Sequence, residues 1–315
     1  MKLAVARRAG REPDVFALFG LGLIGRDVLL QMRRRFDLDL ADKPFSWTDP
    51  EAAAGELADI TAALADQCTR LGGANLHLIW CAGRAGFGAG EGPLALESRL
   101  HEAALLAFET LSARADVLST SVHHVSSAGG LYEGVRLVTR DTRPAPRRAY
   151  GEAKLRQERR LAALPDAISY RIYRPSTVYG DHPTSGRVGL ITALIGAALN
   201  GEEAVIYGRP DTLRDFVFSQ DIGRFIGDKL ARPLTGRGAS ILASGKATSV
   251  SEVVHRVFLA FSKPIYVRYL PPSDNAEHNT FAPSALDPDW SATEFDTGLR
   301  LVERSMRQRF HRNPR

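Results

Sequence analysis

The chain is predicted to be α/β, with a doubly wound parallel sheet and a smaller α/β portion at its C-terminal end. Two observations predict it. Short apolar runs alternate with helix-length segments from residue 15 to about 180, and a glycine-rich turn joins the first run to the first helix. Strands alternating with helices of this length imply right-handed βαβ units and a sheet covered on both faces.

Each element follows from its local pattern. VFALFG (15–20) is an apolar strand ending in glycine, and LIGRDVLLQMRRRF after it places Ile24, Val28, Leu29 and Met32 at helical spacing. DLDLADKPFSW (37–47) has no clear period. Thr48-Asp49-Pro50-Glu51 then reads as an N-cap with proline at the first helical position, which predicts a helix to about residue 71. Ala53, Leu57, Ile60, Leu64, Cys68 and Leu71 step along it by three or four and form one buried stripe. NLHLIWCAG (75–83) reads as a strand, 93–114 as a helix, 116–130 as a loop leading into a strand, 149–164 as a helix stopped by Pro165, and 168–180 as the next strand.

Bulk properties narrow the class. At 315 residues and 44% apolar, the chain can build one large domain or two closely joined ones around a well-buried core. No apolar run approaches the roughly 20 residues of a membrane helix, and MKLAVARRAGREPD lacks the apolar centre of a secretory signal, so a cytoplasmic protein is expected. Cys68 and Cys81 show no CxxC or Cys/His spacing, which argues against a disulfide framework and a zinc site, and no metal is expected. The net charge of +5 favours anionic ligands only mildly. Its excess lies in RLVERSMRQRFHRNPR, which reads as a solvated basic helix rather than a nucleic-acid patch.

Gly20-Leu21-Gly22-Leu23-Ile24-Gly25 is a GxGxxG between a strand and a helix. Glycine permits the tight turn and close backbone approach to a pyrophosphate, while the helix N-terminus offers free N–H groups to the anion. In this setting Gly20, Gly22, Leu23, Ile24 and Gly25 are candidates for a dinucleotide site; the bland alternative is a turn that only packs. Tyr150 and Lys154 stand four apart on a helix and share a face. Lysine is informative there, because the chain has six lysines against 35 arginines. An ammonium beside a phenol favours its ionised form, and such a tyrosine can exchange a carbinol proton while a nicotinamide exchanges the hydride. Arginine's planar head suits the ribose hydroxyls less well. A YxxxK pair alone is common by chance and gains meaning from its neighbours.

Those neighbours resemble the extended short-chain dehydrogenase/reductase family, the NAD-dependent epimerase/dehydratase group, across nearly the whole chain. VSSAGGLYEG (125–134) looks like its SSxxxVYG segment, and PAPRRAYGEAK (144–154) like P…YGxSK. YRPSTVYG (173–180) looks like RPxNVYG, VIYGRPDTLRDFVFSQDI (205–222) like IYGdgxqtRDFvyVdDv, and ILASGKATSVSEVV (241–254) like NvgsGxxxsvxEv. The resemblance implies a doubly wound Rossmann domain over 1–178 and a mainly substrate-binding domain over 179–315, with 213–245 returning to the first. It implies Tyr150 as the acid/base and Lys154 as its ribose-binding partner. Ser127, or else Ser126, would hydrogen-bond the reacting oxygen; otherwise the two hydroxyls satisfy backbone at a strand end. Cys81, Ala82, Gly83 and Pro175 would line the cofactor, with Cys81 a small lining residue rather than a nucleophile. Ser127, Thr177 and Arg214 would touch the substrate, Arg214 at a diphosphate.

Three departures from the family pattern matter. The turn is GxGxxG rather than GxxGxxG, with Phe19 at the aligned first position. The stretch between the first helix and NLHLIW is short and mostly helical, so one strand on the adenine side and its aspartate are expected to be missing. Asp42 or Asp49 is then the candidate for the 2′-hydroxyl of NAD, whereas Lys43 and Arg33–Arg35 favour a 2′-phosphate, which leaves NADP open beside NAD. Thr177 replaces an asparagine that contacts the sugar nucleotide, so the substrate stays open. His123 and His124 read as structural and His182 as a loop histidine.

The expected function is that of an NAD(P)-dependent nucleotide-sugar epimerase or keto-sugar reductase. A 4,6-dehydratase is disfavoured, because Ala128 and Gly129 follow Ser127 where those enzymes carry an Asp-Glu pair. The alternatives are a dehydrogenase of a non-nucleotide carbonyl compound and a non-catalytic dinucleotide-binding regulator, the latter opposed by the intact Ser/Tyr/Lys set. The resemblance also implies a homodimer through helices 95–113 and 149–164, while the charge pattern and the lack of a long apolar run leave neither nucleic acid nor membrane as an expected partner.

Overall fold

The computed structural model describes residues 1–8, 10–83, 89–181, 189–261, 265–271 and 277–312; His182 lies outside them. The described chain runs β1 (Lys2–Arg8), β2 (Arg11–Phe19), α1 (Leu23–Arg35), β3 (Leu38–Asp42), α2 (Pro50–Leu71), β4 (Ala74–Trp80), α3 (Glu91–Ser112), β5 (Val117–Val125), α4 (Ala128–Leu131), α5 (Ala149–Ala162), β6 (Ile168–Pro175) and β7 (Thr177–Tyr179). It continues through α6 (Leu190–Asn200), β8 (Glu203–Tyr207), β9 (Leu213–Arg214), β10 (Phe216–Phe218), α7 (Ser219–Leu230), β11 (Arg237–Leu242), β12 (Thr248–Ser249), α8 (Val250–Phe261), β13 (Tyr266–Leu270) and α9 (Phe295–Arg312). Two compact units result: Met1–Leu131, Pro146–Arg174 and Gly223–Ser240 form the first, and Tyr132–Ala145, Pro175–Ile222 and Ile241–Arg315 the second.

The first unit is built on a seven-stranded sheet of order β11-β6-β5-β4-β2-β1-β3. β2, β4, β5 and β6 pair in parallel, as the alternation of strands and helices predicts. Phe19, Trp80, Leu76 and Leu78 of the sheet meet Ile60 and Leu64 of α2 and Leu105 and Phe108 of α3 in one buried cluster. Asp49 caps α2, its carboxylate accepting from the N–H groups of Glu51 and Ala52 at 3.0 and 3.1 Å, as the sequence predicts. On α7, Gly223 and Gly227 bring the helix against Asp27 and Gln31 of α1, where a side chain would collide. Arg35 reaches back to Asp228 at 2.6 Å.

The adenine-side edge differs from the expectation. DLDLADKPFSW does contain a strand, β3, but the place beside β2 is taken by β1, which is antiparallel to both β2 and β3. The opening residues, which carry no glycine or proline in the strand itself, thus fill the gap instead of leaving it empty. β3 is displaced outward by one position, about 10 Å from β2 at two strand spacings.

The second unit has its own core. Leu194 and Ile195 of α6, Val253 and Val257 of α8, and Leu299 and Val302 of α9 pack with Ile206, Phe216 and Phe218. β8 and β13 pair in parallel, as do β7 and β10, while β9 and β12 are antiparallel. The segment Tyr132–Ala145, which lies before residue 178, belongs here because Val138 donates to Thr280 and accepts from Ala282, each at 2.8 Å, and Asn279 donates to the Tyr132 carbonyl at 2.6 Å. The return to the first unit spans 223–240.

Candidate active site

The glycine turn is shaped by contacts that only glycine allows. Gly20 has φ +86°, and a Cβ there would lie 2.4 Å from the Ala82 nitrogen; one on Gly25 would lie 1.8 Å from the Gly20 carbonyl oxygen. Both therefore close the turn against the end of β4. Gly22 is different: a Cβ on it would meet nothing within 4 Å. It stands as N-cap of α1 with no side-chain cap, and no acid sits in the first turn. Open space before unsatisfied, positively polarised N–H groups suits an anion, so the turn fits the pyrophosphate of a dinucleotide.

The turn leads to the catalytic candidates through a series of close approaches. Ala82 touches Gly20, and a Cβ on the neighbouring Gly83 would lie 3.9 Å from Lys154 Nζ. Lys154 Nζ is 6.0 Å from the centroid of the Tyr150 ring, so the i,i+4 spacing does bring ammonium and phenol together. The Tyr150 ring lies over Gly130, where a Cβ would approach it to 2.9 Å, and Gly151 packs on the Gly130 carbonyl in the same way. Gly130 also donates its N–H to Ser127 Oγ at 3.1 Å. Gly20, Gly22, Leu23, Ile24, Gly25, Cys81, Ala82, Gly83, Ser127, Tyr150 and Lys154 are thereby gathered in the first unit.

Ser126 and Ser127 differ in what they do. Ser127 Oγ serves as acceptor for the start of α4. Ser126 is buried at the end of β5 with a hydroxyl that has no partner among the described residues, although its N–H donates to the Tyr173 carbonyl at 2.7 Å. Cys81 is half-buried, and burial pushes its thiol up to about 12, so it is poorly suited to form a nucleophilic thiolate.

Asp42 is exposed and ion-paired with Lys2, which holds its carboxyl below the ordinary range. Asp49 is occupied as the cap of α2. Arg33–Arg35 close the last turn of α1, and Lys43 follows β3. Pro175, Thr177 and Arg214 lie in the second unit. There Thr177 donates its N–H to the Asp215 carbonyl at 3.0 Å, and Arg214 pairs with Thr248, so the two motifs that carry them meet. Asp215 fastens the arrangement: its carboxylate accepts from Ser176 Oγ at 2.6 Å, Ser244 N at 2.8 Å and Gly245 N at 2.7 Å.

Sequence reasoning passed over Glu97. It sits in α3 among Leu94, Leu100, His101 and Ala104, all buried, and its carboxylate receives Lys154 Nζ at 3.0 Å. The available signal was a charged residue at helical spacing on an otherwise apolar stripe, four before a histidine that shares it.

Residues 94–238 match the sequence model of the NAD dependent epimerase/dehydratase family, which bears out the resemblance read from the motifs. No curated protein matches the sequence significantly. Among solved structures, the chain is similar to UDP-glucose 4-epimerase of Thermus thermophilus in complex with NAD, with a TM-score of 0.66, 18% identity, and 81% of this chain and 82% of that one covered. UDP-N-acetylglucosamine 4-epimerase of Methanobrevibacter ruminantium, in complex with UDP-N-acetylmuramic acid, gives a TM-score of 0.65 at 20% identity over 78% and 80% of the chains. dTDP-glucose 4,6-dehydratase of Streptomyces venezuelae, with NAD and TYD bound, gives 0.63 at 18% identity over 79% of each. At these identities the likeness is one of fold, and that fold is the doubly wound Rossmann architecture expected from the sequence.

Proposed function

We propose that this protein is an NAD-dependent enzyme that oxidises and reduces a carbinol carbon of a nucleotide-sugar, as an epimerase or a keto-sugar reductase. The observation that carries the reading is the series from the open Gly22 turn through Ala82 and Gly83 to Lys154 and Tyr150. A bound nicotinamide dinucleotide would supply the hydride acceptor and donor. Tyr150, as the phenolate, takes the carbinol proton as the carbon is oxidised, and the phenol so formed returns it on reduction. Lys154 favours the phenolate and binds ribose hydroxyls. Ser126 or Ser127 donates a hydrogen bond to the reacting oxygen, and the unpartnered hydroxyl of Ser126 favours Ser126. The family match and the epimerases among the similar folds support the epimerase over the reductase.

The cofactor tests the choice between those two. An epimerase restores its nicotinamide each cycle and can keep it, so the protein should release NAD on denaturation, near one per chain. A reductase should purify empty and need added cofactor. Failure to bind either NAD or NADP would overturn both readings. In the second unit, Arg214→Ala should weaken UDP or dTDP binding by about 2–3 kcal/mol, the scale of a charge-assisted hydrogen bond. Calorimetry that finds no nucleoside diphosphate binding, with NAD present, would point to a carbonyl substrate without a nucleotide.

A further inference from the structure

Lys154 and Glu97 form an ion pair at 3.0 Å whose side chains are 3% and 7% exposed. Lys154 Nζ also donates to Gln157 Oε1 at 3.1 Å. Burial disfavours an ammonium, and a carboxylate in contact offsets that penalty. The other titratable groups about the pair are Tyr150 and Arg160 on α5, His101 on α3 and His124 on β5; Lys154 acts electrostatically on both imidazoles. Burial holds both imidazoles neutral, so neither adds a positive charge beside Lys154, and Arg160 is itself paired with Glu109 at 2.8 Å. His101 Nε2, both ring nitrogens of His124, Gln157 Nε2 and Trp80 Nε1 are buried with no partner among the described residues. Of the groups named here, Glu97 carries the charge opposite to that of Lys154.

We propose that Glu97 is a positioning residue of the active site, whose carboxylate keeps the Lys154 ammonium charged and directed at Gly83 and Tyr150. The proposal rests on the reading of Tyr150 and Lys154 as acid/base and ribose-binding pair. Glu97 reaches neither substrate nor cofactor in this role and acts through Lys154 alone.

Glu97→Gln removes the charge at nearly constant size. NAD affinity by calorimetry and turnover are measured together across pH. In the variant both should fall about tenfold or more between about pH 6 and about pH 9, as a buried ammonium that has lost its carboxylate gives up its proton, while the wild type holds steady. A variant that melts earlier but keeps the wild-type pH profile would show a purely structural carboxylate and overturn the proposal. Should Glu97→Gln not fold, the wild type itself decides. With six lysines in the chain, 13C-lysine labelling can follow Lys154, identified by its loss in Lys154→Met. An ammonium signal that persists beyond neutral pH supports the proposal, and a neutral-amine signal at neutral pH overturns it. Tyr150→Phe, run alongside, separates the two levels. Full turnover in that variant would defeat the acid/base reading itself, whereas an inactive Tyr150→Phe beside an unshifted Glu97→Gln would defeat only the role of Glu97.

Discussion

His77 and His123 on one face of the seven-stranded sheet find partners, while among the described residues His124 on the other face finds none and His101, packed against it, lacks one at Nε2. His77 bonds Ser121 Oγ at 2.7 Å and Asp14 Oδ1 at 3.1 Å, and His123 Nδ1 bonds the Tyr173 hydroxyl at 2.8 Å. His124 and His101 lie with ring centroids 4.7 Å apart beneath Trp80, yet among the described residues His124 has no hydrogen bond at either nitrogen and His101 none at Nε2. Buried polar atoms are nearly always satisfied, by protein or by ordered water. The first face thus uses polar groups as cross-strand ties. The second places its neutral imidazoles beside the buried Lys154–Glu97 pair.

The largest effect that could break this contrast is on turnover. Tyr150→Phe should leave the fold intact and reduce turnover by about 10²–10⁴-fold, the range for losing an acid/base group. Tyr173→Phe, the same change on the tying face, should keep turnover and cost about 1 kcal/mol of stability in urea unfolding. Equal loss of activity in both variants would erase the distinction between the faces.

Acid stability comes next in size. Burial lowers His101 and His123 to about 3 and His124 well below its ordinary value. The folded protein therefore keeps these rings neutral, whereas the unfolded chain protonates them below about pH 6.5. Their contribution is fully present above that pH and is lost as pH falls towards about 3, with a slope approaching ~1.4 kcal/mol per pH unit for each imidazole. Denaturant midpoints measured from pH 7 to pH 4 should fall steeply, and His124→Leu should flatten the curve. An unchanged slope in that variant would mean that His124 contributes nothing to it.

A smaller difference separates single histidines at neutral pH. His77→Leu should cost about 2–3 kcal/mol, because it strips Asp14 and Ser121 of a buried partner. His124→Leu should stay within about 1 kcal/mol of wild type, since it removes polar atoms that none of the described residues matches. If the order were reversed, partners other than protein must satisfy His124, and bound water or cofactor would be the place to look.

Local pattern determined much of this protein. The strand–turn–helix at Gly20–Gly25, the cap and apolar stripe of α2, and the Tyr150–Lys154 face are all set by residues within a few positions of one another, where backbone geometry and side-chain period act directly. What only the tertiary structure decided depends on distant pairing. β1 could not be placed from its own seven residues, because its neighbours are chosen by which edge of the sheet lacks a hydrogen-bonding partner. Glu97 looked like an ordinary helix residue until α3 and α5 packed together and set it against a lysine 57 positions away. A buried charge takes its meaning from the group that compensates it, and that group is selected by packing rather than by spacing along the chain.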